Sequence, residues 1–387
     1  MRPLRELLLI GGALAVTACS PPAQDKAQPA QPAPQAAANT TPPTPTLAPS
    51  DTSGLVPVVN AAAPAEAPAG PLQAAPASPL AQAINQASWP ATGAEANRDA
   101  LLRAEVLLAR ARFSPGVIDG QDGGNLKGAL SAFETAHNLP VDGKLSEAVW
   151  SALAADAAPA VVAHTITPAD VAGPFQPSIP AKFEDQAKLD HLGYTSPLEA
   201  LAEKFHMDEK LLQALNAGVD FSQAGTTILV AGVGPDALPS RVTTIEVDKT
   251  HRQVRAMDAS GAVLAVYPAT IGSTERPAPS GSFTVKGVAK NPTYTYDPSR
   301  LTFGDKSMGK LTIKPGPNNP VGAVWIDLSI PTFGIHGTPD PRLVGKTASH
   351  GCVRLTNWDA VQLASAVKPG TKVNFVGVEP AGPKSPA

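Results

Sequence analysis

The sequence predicts a multidomain chain ending in a mostly-β domain, β-sandwich-like with short helices. A small three-helix domain and a small α/β module precede it. Three observations lead there. Residues 20–94 hold 16 Pro and 22 Ala among 75 positions with only four charges, a composition that cannot bury enough apolar surface to offset its ordering entropy. Residues 95–157 then place apolar side chains at helical spacing, and from Arg241 the apolar period changes to two. The 293 residues outside the leader and this Pro/Ala segment suffice for one sizeable core and one or two smaller modules. Net charge is −3 with no basic block, which argues against a nucleic-acid partner.

The first residues combine Arg2 and Arg5 with an apolar run, Leu7–Val16, too short to span a bilayer. This pattern predicts a secretory signal over 1–18. Its end, Val16-Thr17-Ala18-Cys19, resembles the lipobox of bacterial lipoproteins, which implies that Cys19 is lipidated and becomes the mature N-terminus. Ser20 after the cysteine implies the outer membrane in that family. Residues 19–94 are expected to be a disordered tether on a membrane anchor, with the rest of the chain exported to the periplasm.

In the helical stretch, Leu101, Leu102, Leu107 and Leu108 lie on a first helix, which Phe113-Ser114-Pro115-Gly116 ends. A second helix near Leu126–Asn138 carries Leu130 and Phe133 on one face. After the Asp142-Gly143 turn, Ser146 is placed to cap a third through Trp150. This order, with Asp119-Gly120, Phe133, Asp142-Gly143 and Trp150, resembles a peptidoglycan-binding helical domain over 95–157. Asp122-Gly123-Gly124-Asn125 departs from that family's usual Gly-x-x-Thr turn. Residues 158–190, Pro-interrupted, are expected to be a connector. Over 191–235, an amphipathic helix with Leu198, Leu201 and Phe205, a second helix over Asp208–Asn216 and the β run Thr226–Val230 resemble a degenerate lysin-motif (LysM) module.

The 238–378 region reads as short β-branched strands at 244–248, 253–257, 262–267, 282–285 and 323–328, separated by Gly, Pro and Asp turns. A helix follows over 357–367, with Asn357 expected as its cap, and 379–387 form a tail. Asp340–Lys346 is expected to be a surface loop.

The chemistry is expected in Ile335-His336-Gly337-Thr338 and His350-Gly351-Cys352-Val353-Arg354. If Cys19 is lipidated, Cys352 has no disulfide partner, and a lone thiol in an exported chain points to reactivity. A thiol is only slightly ionised at neutral pH, and a histidine within reach takes its proton and returns it to a leaving amine. His336 and Cys352 form that candidate pair. The amides of Gly351 and Cys352 are candidate oxyanion donors. On an extended strand, Arg354 shares the face of Cys352 and is placed to hold a carboxylate. Zinc ligation by His336, His350 and Cys352 is the competing reading.

The same residues, with Ser349 before His350 and Leu355-Thr356-Asn357-Trp358-Asp359 after the cysteine, resemble the catalytic signature of the L,D-transpeptidase (YkuD-like) family. Thr270-Ile271-Gly272, Pro279–Phe283 and Asn319–Gly322 match its earlier blocks in order, and a long 286–318 segment departs from it. The resemblance implies a Cys352 nucleophile, His336 as proton donor and acceptor, and the Gly337 carbonyl orienting its second ring nitrogen. It further implies Gly351 as oxyanion donor and Ser349, His350, Thr338 and Arg354 as substrate contacts. No cofactor or metal is implied. The implied reaction cleaves the bond between an L-centre diamino acid and D-Ala in a stem tetrapeptide and passes the acyl group to an amine, a 3→3 peptidoglycan cross-link. The implied partners are stem peptides, glycan and carbapenem-type inhibitors. Two alternatives stay open within the family: hydrolysis by a carboxypeptidase, and attachment or release of wall-bound lipoproteins. In another class stands a non-catalytic lipoprotein that anchors the wall.

Overall fold

The computed structural model describes residues 73–74, 78–273, 276–299, 309–349 and 351–379. Cys19, the leader, most of the expected tether, His350 and residues 380–387 lie outside them.

Packing starts earlier than the composition predicts. Strand β1 (Gln73–Ala74) and helix α1 (Pro79–Gln86) fall within the expected tether. Ser78 caps α1 by accepting from the Ala81 amide, and Pro79 stands where no amide partner is needed. Ala81 and Ile84, one turn apart, enter an apolar cluster with Leu102, Val161 and Leu212. A Pro/Ala average over 75 residues hides a single amphipathic turn.

The three helices expected over 95–157 are α2 (Ala94–Arg110), α3 (Gly124–Ala136) and α4 (Glu147–Leu153). Ser146 caps α4 through the Val149 amide. Leu107, Leu108, Leu130, Phe133 and Trp150 form their core. Each Asp-Gly turn is held by a buried glutamate: Glu105 accepts from the Asp119 and Gly120 amides, Glu134 from those of Asp142 and Gly143. Gly120 and Gly143 have φ of +72° and +66°, a conformation that favours glycine.

The expected connector is a correction. It supplies strand β2 (Val161–Thr165), which pairs antiparallel with β3 (Thr227–Ala231) from Val161↔Ala231 to Thr165↔Thr227, while β1 pairs on its other edge. Between β2 and β3 come α5 (Phe183–Gln186), α6 (Pro197–Lys204) and α7 (Glu209–Leu215). The module thus runs from about residue 160, not 191, as strand, helices, strand. A five-residue strand bounded by proline-rich chain carries too little pattern to stand out.

The last region contains β4 (Thr244–Asp248), β5 (Gln253–Met257), β6 (Val263–Pro268), β7 (Thr270–Ile271), β8 (Gly281–Lys290), β9 (Tyr294–Tyr296) and β10 (Leu311–Ile313). After these come β11 (Val324–Leu328), β12 (Gly334–His336), β13 (Val353–Arg354), α8 (Asn357–Ala366) and β14 (Lys372–Val376). Among the described residues nine strands form one sheet, in the order β6-β5-β4-β14-β8-β11-β12-β13-β7. Its two edge strands, β6 and β7, are consecutive in the chain with only Ala269 between them. The sheet must therefore curl almost onto itself, giving the near-barrel form of a mostly-β domain. Ile245, Val247, Ile326 and Val373 line its core together with Ala360, Leu363 and Ala364 of α8. The cap of α8 is Thr356, whose hydroxyl accepts from the Asp359 amide. Asn357, expected as the cap, is the first helical residue.

These parts are not separate beads. The described residues all fall in one compact unit. Ser114 N donates to Val266 O at 2.8 Å, Val266 N to Arg112 O at 2.9 Å, and Val266 itself lies in the core of the helical domain. Asn125, within the departing turn, donates to Val344 O at 3.0 Å in the loop between His336 and Cys352. That loop contains a 3-10 turn, Pro341–Leu343. Although Asp340–Lys346 was expected to lie on the surface, Val344 is buried.

The apolar contacts across these boundaries lead to the expectation that residues 78–379 unfold in one calorimetric transition. A chain beginning at residue 238, with Val266 stripped of its neighbours, melts at lower temperature.

Candidate active site

Two strands far apart along the loop path are brought side by side. β12 pairs in parallel with β13, Ile335 opposite Val353 and His336 opposite Arg354. β13 in turn pairs with β7, so this short strand is held on both edges. Cys352 directly precedes β13 and, two residues before Arg354, belongs to the same face. The charge of Arg354 acts on both the Cys352 thiol and the His336 imidazole.

His336 is only 4% exposed. Its Nδ1 lies 2.7 Å from the Gly337 carbonyl oxygen. A carbonyl can only accept, so Nδ1 carries the proton and Nε2 of the neutral ring is left as the base. Trp325, on the face of β11 opposite Val324 and Ile326, stacks on the imidazole at 5.4 Å and 20°. Burial lowers His336 to about 3, the Arg354 charge acting the same way and the Gly337 hydrogen bond opposing it. The ring is thus neutral at physiological pH.

Cys352 is half-buried, with Sγ 3.7 Å from the Thr332 carbonyl. Burial pushes its thiol above the ordinary value, and a Gly334 backbone hydrogen bond and the Arg354 charge pull it back. The resting pair is therefore thiol and neutral imidazole, which needs no buried ion pair. Among the described residues no carboxylate lies within ion-pair distance of Arg354. Burial lowers the guanidinium's pKa, against Cys352 and Tyr294, which raise it.

Ser349 and Thr338, expected as substrate contacts, are both buried. Ser349, 3% exposed, donates from Oγ to the Cys352 carbonyl at 2.6 Å and accepts from the Gly351 amide at 3.3 Å. Thr338, 8% exposed, accepts from the Asp340 amide. Both hydroxyls hydrogen-bond within the site's loops. The Gly351 amide, expected as the oxyanion donor, is turned to Ser349 here. Gly351 has φ +111°, and a Cβ there would come within 2.8 Å of the Phe333 ring. Among the described residues, which leave out His350, no three His, Cys, Asp or Glu side chains are grouped to hold a metal ion.

Sequence reasoning did not find Trp325, Tyr294, Asn357 or Glu203. The alternation of β11 points Trp325 away from the core and could have found it. Tyr294 lies on β9, which pairs with β10 inside the departing 286–318 segment. Its phenol is raised by burial and by Cys352, with Arg354 opposing. Phe183 of the expected connector packs on Tyr294 at 5.7 Å and on Tyr296 at 5.1 Å. Thus Phe183 of the expected connector packs on both aromatic residues of β9.

The L,D-transpeptidase catalytic domain (YkuD) profile matches residues 242–375, and that described as "Putative peptidoglycan binding domain" matches 97–153. A protein of Bacillus licheniformis, "Putative L,D-transpeptidase YkuD", is 31% identical over 181 residues, covering 46% of this chain and 92% of that protein. The chain belongs to the L,D-transpeptidase family. Its Bacillus subtilis relative of the same name is 30% identical over 183 residues, again 46% of this chain and 92% of that protein. An L,D-transpeptidase structure from Xylanimonas cellulosilytica is 17% identical, with 70% of this chain and 93% of that chain covered at TM-score 0.31. Within this L,D-transpeptidase, His336 and Cys352 fall inside the matched catalytic domain.

The raised thiol has a measurable consequence. Burial disfavours the thiolate, so alkylation of Cys352 by iodoacetamide is expected to rise with pH through a midpoint above about 8.5, the free-cysteine value. Peptide mass mapping at each pH reads it. A midpoint below 7 contradicts the arrangement.

Proposed function

We propose that this protein is a cysteine acyltransferase that cross-links peptidoglycan. The observation that carries this reading is the neutral His336, its Nδ1 hydrogen-bonded to the Gly337 carbonyl, on the strand paired with the one that Cys352 immediately precedes. Nε2 takes the Sγ proton as the sulfur attacks the carbonyl carbon of the L-centre diamino acid in a donor stem tetrapeptide. The C–N bond to D-Ala breaks, and the D-Ala amine leaves with the proton from Nε2. A thioester remains. The side-chain amine of a second stem attacks it, His336 accepts the amine's proton and returns it to Sγ, and a 3→3 cross-link forms. Arg354, with no carboxylate within ion-pair distance among the described residues, supplies a cation for a substrate carboxylate. Strained β-lactams such as carbapenems offer Cys352 a carbonyl to acylate without a second substrate.

The matched peptidoglycan-binding domain and the strand-helix-helix-strand module support a wall substrate, because both hold the site on one body near the polymer. The leader supports export and lipid anchoring at Cys19, in the outer membrane. A segment such as 20–72, in polyproline geometry at ~3.1 Å per residue, reaches about 160 Å, enough to put the enzyme at the wall.

Purified muropeptides test the reaction. Wild type is expected to convert tetrapeptide to 3→3 dimer with release of D-Ala, whereas tripeptide alone would mean hydrolysis and no product a non-catalytic role. Cys352→Ser is expected to lose essentially all turnover, and His336→Ala to fold and lose about 10²–10⁴-fold. Cell fractionation tests the anchor: Cys19→Ala is expected to leave the membrane fraction while its Cys352 still reacts with a carbapenem.

A further inference from the structure

We propose that Glu203, on α6 of the module spanning 160–231, is a positioning residue for His336, acting through Asn357. The proposal rests on the Cys352–His336 reading above. It would tie the base's orientation to the docking of a module that carries no reacting group.

The relay is short. Asn357 is 3% exposed, at the first turn of α8. Its Oδ1 accepts from Ala323 N at 3.0 Å and from Thr338 N at 3.2 Å. The Thr338 N–H and the Gly337 carbonyl belong to one planar peptide unit. That carbonyl is the group that accepts from His336 Nδ1 at 2.7 Å. Holding the N–H end on Asn357 therefore aims the C=O end at the imidazole. The amide is seated tightly against this turn, since a Cβ at Gly337 or Gly322 would collide with Asn357 Oδ1.

What orients Asn357 is the other end of its amide. Nδ2 donates to both carboxyl oxygens of Glu203, at 3.1 and 3.0 Å, and to the Pro317 carbonyl at 3.2 Å. A flipped amide would face two backbone N–H donors with its own NH₂ and leave Glu203 facing an oxygen. Glu203 is 7% exposed and 154 residues from Asn357 in sequence. Tyr194 OH donates to it at 3.3 Å. Burial raises its carboxyl to about 8, with Glu199 and Glu209 adding and Asn357 and Tyr194 opposing. It is thus a neutral acid at pH 7, and glutamine keeps that neutral shape with one carbonyl oxygen to accept from Nδ2.

Two neighbouring contacts bind the same helix without reaching the turn. His206 stacks on Trp358 at 4.9 Å and 9°, and Ser114 Oγ donates to Asp359 Oδ2 at 2.9 Å. Ser114→Ala is therefore a control for general loosening of the interfaces.

The test uses the full chain and two readouts. One is the rate of Cys352 acylation by a carbapenem, followed by intact mass. The other is the pair of ¹⁵N imidazole shifts of His336, assigned by difference from His336→Ala, which report the tautomer without any turnover. Glu203→Met keeps the volume and removes both acceptors. It is expected to slow acylation about 10- to 100-fold, the range for residues that orient a reacting group from behind, and to mix the two tautomers. Glu203→Gln is expected to restore rate and tautomer, and Ser114→Ala to change neither while lowering the melting temperature. Should the methionine variant not fold, Glu203→Ala is read the same way. A folded Glu203→Met with wild-type tautomer overturns the proposal, as does an equal slowing by Ser114→Ala. Wild type that is not acylated defeats the Cys352 reading instead, and the tautomer comparison still judges Glu203.

Discussion

The parallel pairing of β12 with β13 is the constraint on which the site depends. Parallel neighbours cannot be joined by a tight turn, so the chain must leave one strand end and return to start beside it. Here it does so in the sixteen residues between His336 and Val353. Such a loop carries little apolar surface of its own, and its shape is held from outside. Asn125 of the helical domain donates to Val344 O, Arg252 to Gly345 O, and the Gly345 amide to Thr270 Oγ1. The strand that ends at the histidine and the strand that follows the cysteine lie side by side because the rest of the molecule fixes the path between them.

The same dependence explains the first turn of α8. Asn357, Trp358 and Asp359 are consecutive, and each engages a different partner: Glu203 with the His336 turn, His206, and Ser114. One helical turn projects successive side chains about 100° apart, so three neighbours can serve the module and the helical domain at once. A catalytic sheet that curls nearly closed leaves few places for other domains to attach. The first turn of α8 is such a place. The helical domain and the module are thereby part of the scaffold of the site, whatever each does toward the wall.

The electrostatics follow from burial. A charged pair at His336 and Cys352 would have to be stabilised in a dry pocket, and burial drives both groups toward their neutral forms. Arg354 is then the standing charge that acts on both groups. Glu203 obeys the same rule, a carboxyl kept neutral so that it can be buried and still accept.

Strand and helix assignments from Arg241 on were legible because alternation is local: Ile245 and Val247, or Val324, Ile326 and Leu328, declare a face within five residues. The pair His336 and Cys352, with Arg354, was legible because the chemistry sits in two short contiguous motifs. By itself the sequence thus determined the family, the mostly-β catalytic region and the three-helix domain, and it singled out His336 and Cys352 as the candidate pair. It did not place β2, which reads as strand only once β3 pairs with it, nor the helix α1, masked by its Pro/Ala surroundings. Only the tertiary structure decided that the Ser349 and Thr338 hydroxyls are engaged within their loops, that Phe183 packs on Tyr294, and that Glu203 reaches Asn357. The physical reason is range: periodicity and motif spacing encode what a residue does within its own element, whereas these contacts join residues up to 154 positions apart and exist only because packing brings their elements together.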